Sequence, residues 1–151
     1  MDTSERGTRV VVGVDGSPAS YEALRWAVRH ARLIGAAVDA VAAYELPGAV
    51  GWSARATDAT FDGEQAARSL ADEIQAVLVR ADDVPVREHV VRGNPAEVLT
   101  EASAGAELLV VGSRGRGGFE SLLLGSVGQQ CALHAPCPVV IVRPDTTGKR
   151  T

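Results

Sequence analysis

Five short strand-like runs, at 10–14, 38–44, 86–91, 108–111 and Val139–Val142, the first and the last two continuously apolar, alternate with stretches of helical spacing or loop character. No other feature constrains the fold as strongly. The continuously apolar runs read as buried strands, and strand and helix alternating five times argues for a parallel sheet covered by helices. One α/β domain is therefore expected: an open parallel sheet of five strands with helices on both faces. The domain is placed at 9–144, with a flexible N-terminus over 1–8 and a loose tail over 145–151. Asp39 interrupts the second run, as a residue near a solvated strand end would.

The helix starts are marked chemically. Ser17 precedes Pro18, and Leu24, Ala27, Val28, Ala31 and Ile34 then share a face that Gly35 closes. Asn94-Pro95-Ala96-Glu97 combines a capping side chain, proline at the first helical position and Glu97 three residues after the cap. That helix is expected to end near Gly105. Another helix is expected over about 62–80, with Leu70, Ile74, Val77, Leu78 and Ala81 at helical spacing, and a short one over 126–134. The segment 46–63 is rich in Gly, Ala and Pro and reads as a long loop.

Composition narrows the function classes. Hydrophobic residues are 46% of the chain but aromatic ones only 4%, so the core is built from small side chains that let helices approach a sheet closely. A net charge of −4 argues against a nucleic-acid or acidic-membrane binder. No apolar run reaches the roughly 18 residues of a membrane span, and the first residues are polar, which points to a soluble cytoplasmic protein. Cys131 and Cys137 form no disulfide framework and read as inert thiols, while His30, His89 and His134 are scattered and read as structural or solvated. No zinc-ligand spacing occurs.

Open parallel sheets take ligands beyond the carboxyl ends of their strands, where strand order reverses. The two most glycine-rich strand exits are Asp15-Gly16-Ser17 and Gly112-Ser113-Arg114-Gly115. Bare backbone amides at such an exit, with a helix N-terminus behind them, make a phosphate cradle. Here Gly125-Ser126 opens the helix, and Arg114 and Arg116 supply positive charge. A Walker A loop is excluded because Lys149, in the tail, is the only lysine. A dinucleotide Gly-x-Gly-x-x-Gly fails as well, since Glu120 stands where the third glycine would be.

In these residues the chain resembles the universal stress protein family, over nearly its whole length. Gly112, Gly115, Gly125 and Ser126 match the family's nucleotide motif Gly-x2-Gly-x9-Gly-Ser/Thr. Val12-Gly13-Val14-Asp15-Gly16-Ser17, Gly93-Asn94-Pro95-Ala96 and the ending from Ala135 to Pro144 are similar to it too. The resemblance implies a Rossmann-like sheet of order 3-2-1-4-5 and an ATP site, with Mg²⁺ accompanying the nucleotide. By position, Asp15 and Ala43 would meet the base end, Val111 and Gly112 the ribose or base, and Arg114, Gly115, Gly125, Ser126 and Val127 the phosphates. The residues alone equally allow Asp15 to serve the helix start. Trp52 and Phe61, in the expected loop, are placed to fold over an adenine. The resemblance further implies a homodimer through Val139–Val142 and an ATP-binding regulatory protein of stress responses. A slow ATPase and a nucleotide-free interaction module are the alternatives.

Overall fold

The computed structural model describes residues 7–45, 56–78, 83–114 and 125–144, with the side chains of 56–62 and 77–78 left aside. Its elements run β1 (Arg9–Gly13), α1 (Pro18–Ile34), β2 (Ala37–Tyr44), α2 (Ala56–Leu78), β3 (Val86–Arg92), α3 (Pro95–Ala102), β4 (Leu108–Gly112), α4 (Ser126–His134) and β5 (Val139–Val142). The strands form one parallel sheet in the order β3-β2-β1-β4-β5. Order and class are those expected. No described helix is long and apolar enough to cross a membrane.

β1 is central, and Val10, Val11 and Val12 have no exposed surface. Alternate residues feed two cores. Val10, Val12 and Val14 face a layer that includes Ala23, Leu24, Ala27, Val28 and Ala31 of α1 and Leu70 and Ile74 of α2. Val11 faces the other, with Val98 and Leu99 of α3 and Cys131 of α4. The alanines of α1 let its backbone lie close to the sheet, and dense packing of this kind is the main source of stability for a two-layer core. Ile34, expected on the same face, sits in the last helical position and is 40% exposed.

The caps form as the sequence indicates. Ser17 Oγ accepts the Ser20 N–H at 3.2 Å, Pro18 takes the first position, and Gly35 ends α1 with φ 70°. Asn94 Oδ1 accepts the Glu97 N–H at 3.1 Å. Guanidinium bonds finish α3: Arg9 donates to the carbonyls of Ala102 (3.0 Å) and Ala104 (2.6 Å). Ala102 carries one of the terminal carbonyl groups a helix leaves unpaired, and Ala104 follows the cap residue Ser103.

Two expectations need correction. α2 begins at Ala56, so the last eight positions of the expected loop are helical, and Phe61 belongs to a helix. The Gly, Ala and Pro content of the segment pointed to a loop, yet Gly63 lies inside the helix. Here it is a packing residue: a Cβ at Gly63 would lie 3.0 Å from Tyr44 Oη and 3.2 Å from Cζ. Asp39, in turn, stands near the start of β2 but is not solvated there, being only 7% exposed. Its Oδ2 accepts from Arg9 (3.1 Å) and its Oδ1 from Arg87 (2.8 Å), with His89 Nε2 at 3.2 Å. The two arginines arrive from β1 and β3, the strands on either side, which no local pattern reveals. His89, read as structural, belongs to this cluster. Trp52, the segments 46–55, 79–82 and 115–124, the first six residues and the tail from 145 lie outside the described residues.

Candidate functional site

β1 and β4 are neighbours, with Val12 opposite Val110, so their exits open on the same end of the sheet. β2 continues on one side and β5 on the other. This is the reversal of strand order at which such sheets take ligands.

The two halves of the glycine motif meet here. Ser113 N–H donates to the Val142 carbonyl at 2.7 Å, extending the β4–β5 ladder past Gly112. Gly125 N–H then donates to the Ser113 carbonyl, also at 2.7 Å. The start of α4 is thereby strapped to the exit of β4, although nine residues separate the two motif halves in sequence. Gly125 is the N-cap residue of α4 and supplies no side-chain cap. The first-turn amides of α4, at Ser126 and Val127, therefore receive nothing from the cap side chain. The positive end of a helix dipole without a cap is a favourable place for an anion.

Gly112 has a second role that the motif does not advertise. A Cβ there would lie 2.7 Å from Ala19 Cβ and 2.8 Å from the Ala19 carbonyl carbon. The glycine lets the start of α1 lie on the end of β4. Gly13 is similar at the exit of β1, where a Cβ would meet Leu99 Cδ1 of α3 at 2.8 Å. Both exits are held open to helices by missing side chains, and this packing fixes the mouth of the switch point.

Asp15 follows β1 on an exposed turn. Its Oδ1 accepts the Ser17 N–H at 2.9 Å, so the helix-start role open to it in the sequence is realised. Gly16 turns the chain with φ 83°, a value that suits glycine. Ser20, 4% exposed, accepts the Asp15 N–H with its Oγ (3.1 Å) and donates that hydroxyl to Glu73 Oε2 of α2 (3.0 Å). Neither Ser20 nor Glu73 was singled out from the sequence. Glu73 comes from an element 53 residues further on, and nothing local points to it.

The other expected residues distribute plainly. Ala43, Val111 and Val127 all pack in the core layer beneath α3 and α4, with Val111 only 3% exposed. Arg114 is half-buried just beyond β4, and Ser126 is exposed at the start of α4. Gly115 lies outside the described residues. A cleft of about 580 Å³ runs between α3 and α4, lined by Asn94, Glu97, Ser126, Val127 and His134 among others. The Asn-Pro-Ala helix start and the Gly-Ser helix start thus share one opening. Among the described residues no group of three His, Cys, Asp or Glu side chains could hold a metal ion. Burial pushes the Cys131 thiol up to about 11, which makes it inert.

An open parallel sheet with glycine-lined exits at its switch point defines a doubly wound α/β protein, of the kind that takes ligands at its strand ends. The sequence matches the Universal stress protein family over residues 7–143, and the chain belongs to that family. It is 39% identical over 140 residues to a universal stress protein of Mycobacterium tuberculosis (strain H37Rv), covering 89% of this chain and 45% of that protein. A Mycolicibacterium smegmatis universal stress protein is 40% identical over 136 residues, with the same coverage. The chain thus spans less than half the length of these curated relatives. Among solved structures, UspA of Lactobacillus plantarum superposes with a TM-score of 0.79 at 21% identity, covering 91% of this chain and 99% of that one. A universal stress protein in complex with cAMP superposes with a TM-score of 0.64 at 30% identity, covering 93% and 99%.

Proposed function

We propose that this chain binds an adenine nucleotide at the β1–β4 switch point and acts as a nucleotide-dependent regulatory protein. The observation that carries the reading is the 2.7 Å bond from Gly125 N–H to the Ser113 carbonyl. It joins an uncapped helix start to a glycine-lined strand exit, and polyanions favour that combination. The cAMP complex of a 30% identical family member supports adenine as the base.

In this reading Asp15 and Ala43 meet the base, Val111 and Gly112 the base or ribose, and Arg114, Gly115, Gly125, Ser126 and Val127 the phosphates. The natural ligand is ATP. The described residues lack a cluster of metal-binding side chains, so Mg²⁺ would be held chiefly by the phosphates and water, as this ion tolerates. Asp15 already shares Oδ1 with the Ser17 amide, which suits a binding role better than activation of water. Occupancy of the site is the signal, and hydrolysis is at most slow.

The same reading includes a homodimer. β5 is the last strand of the sheet, short and apolar, and its four residues are only half-buried. An apolar edge of that kind pairs readily with another strand. Sedimentation at micromolar concentration should give a two-chain mass, and a one-chain mass would remove the dimer from the proposal.

Calorimetric titration with Mg-ATP and with cAMP, on wild type and Gly115→Ala, tests the site. Wild type should bind at least one of them, and the variant more weakly. Wild type that binds neither would overturn the reading in favour of an interaction module that has lost its ligand.

A further inference from the structure

Hydrogen bonds lead from the Asp15 turn to a different helix. Ser17 N–H reaches Asp15 Oδ1 at 2.9 Å, and Ser20 N–H reaches Ser17 Oγ at 3.2 Å. Asp15 N–H reaches Ser20 Oγ at 3.1 Å. These three bonds tie the turn to the first residues of α1. The fourth, from Ser20 Oγ to Glu73 Oε2 at 3.0 Å, leaves the turn and anchors it to α2. We infer that Glu73, acting through the Ser20 hydroxyl, is a positioning residue for Asp15 at the base end of the nucleotide site. The inference rests on the adenine-nucleotide reading above.

The hydroxyl is what makes the link directional. A serine inside a helix has a competing partner, the carbonyl one turn earlier, and side chains of this type commonly bond back to it. Ser20 instead gives its proton to the Glu73 carboxylate, which leaves a lone pair of Oγ facing the Asp15 amide. An ionised acceptor strengthens the chain of bonds, and the surroundings are dry at Ser20 and Ser17, 4% and 6% exposed. Without Glu73 the hydroxyl is free to turn to its own helix, and the Asp15 amide loses its partner. The turn that presents the Asp15 side chain then relaxes. Packing does little to replace the link, because a cleft of about 560 Å³ separates this end of α1 from α2, between Tyr21 on one wall and Asp72 and Glu73 on the other.

The test is a double-mutant cycle on Mg-ATP affinity, with melting of the unliganded protein followed in parallel. Glu73→Ala and Ser20→Ala should each weaken binding about fivefold to tenfold, the size expected of one hydrogen bond acting at a distance. Their combination should be no worse than either alone, because both break one chain. Glu73→Gln keeps an acceptor for the hydroxyl and should retain most of the affinity, which a general loss of α2 packing would not allow. On an Asp15→Ala background the Glu73→Ala loss should shrink to less than twofold. Wild type that binds ATP, with Glu73→Ala binding equally well, overturns the inference and leaves the site standing. An undiminished Glu73→Ala loss on the Asp15→Ala background overturns it as well. Wild type that binds no adenine nucleotide overturns the underlying reading instead.

Discussion

Gly112→Ala should destabilise the protein whether or not a ligand binds. The added Cβ would lie 2.7 Å from Ala19 Cβ, 2.8 Å from the Ala19 carbonyl carbon and 3.0 Å from its oxygen. Two of those three atoms are helix backbone, so no rotamer change relieves the overlap, and either α1 or β4 must move. Overpacking of a tight site costs about 1–3 kcal/mol, and backbone contacts place this one in the upper half. Restricting the unfolded chain returns about 0.5 kcal/mol. A net loss of about 2 kcal/mol should lower the melting temperature by about 4–8 °C in a domain of this size. Urea unfolding followed by circular dichroism, without nucleotide, measures it. Ala19→Gly should not rescue the variant, since it removes one clash of three and weakens α1 itself. Gly112→Ala within about 0.5 kcal/mol of wild type would refute the packing role, and full rescue by Ala19→Gly would place the clash on the Ala19 methyl instead of the helix backbone. If the role holds, weakened ATP binding by Gly112→Ala carries no information about ligand contact.

Asp39→Ala should cost about 2 kcal/mol in urea unfolding, less than a fully buried ion pair, because Arg87 is half exposed and can turn to water. Asp39→Asn should cost about half as much, and no loss for either variant would show that the cluster contributes nothing net. On a Cys137→Ser background, Cys131 should resist thiol reagents at pH 8 until the chain unfolds, since burial pushes it to about 11. The unfolded chain loses that proton near 9 and the folded one near 11, so stability should fall as pH rises through this window; labelling of the native protein would contradict the burial. The hydrogen bonds from Arg32 hold the Asp83 carboxyl below its ordinary value, a contribution present above the carboxylate range and lost as pH falls through the lowered pKa. In an NMR titration Arg32→Ala should return Asp83 upward with little change in global stability, and an unmoved Asp83 would exclude the pair as the cause.

Local chemistry made much of this protein readable in advance. Short apolar runs such as 10–14 and 108–111 alternate with helical spacing, and the α/β class followed from that alternation. Ser17-Pro18 and Asn94-Pro95 marked helix starts because capping depends on neighbours within four residues. α4 and β5 also fall where they were expected. The segment 46–63 went wrong because its glycines count as loop formers by composition, while Gly63 sits in a helix beside the Tyr44 ring.

The site divides along the same line. The glycine motif was visible in the sequence, and so was the possibility that Asp15 serves its own helix start. Strand order came from resemblance, since no local residue states which strands are neighbours. Three features needed the folded chain: the Gly125–Ser113 strap, the Asp39 cluster and the Ser20–Glu73 bond. Each joins groups at least ten residues apart, and the last two span 30 or more. By itself the sequence determined which segments become strands and helices and how their ends are capped, because those energies are spent between close neighbours. Tertiary structure alone decided that Asp39 is buried among arginines, that Gly112 is bare for Ala19 and that Asp15 is held from α2. Those outcomes depend on which distant atoms the sheet order brings within 3 Å.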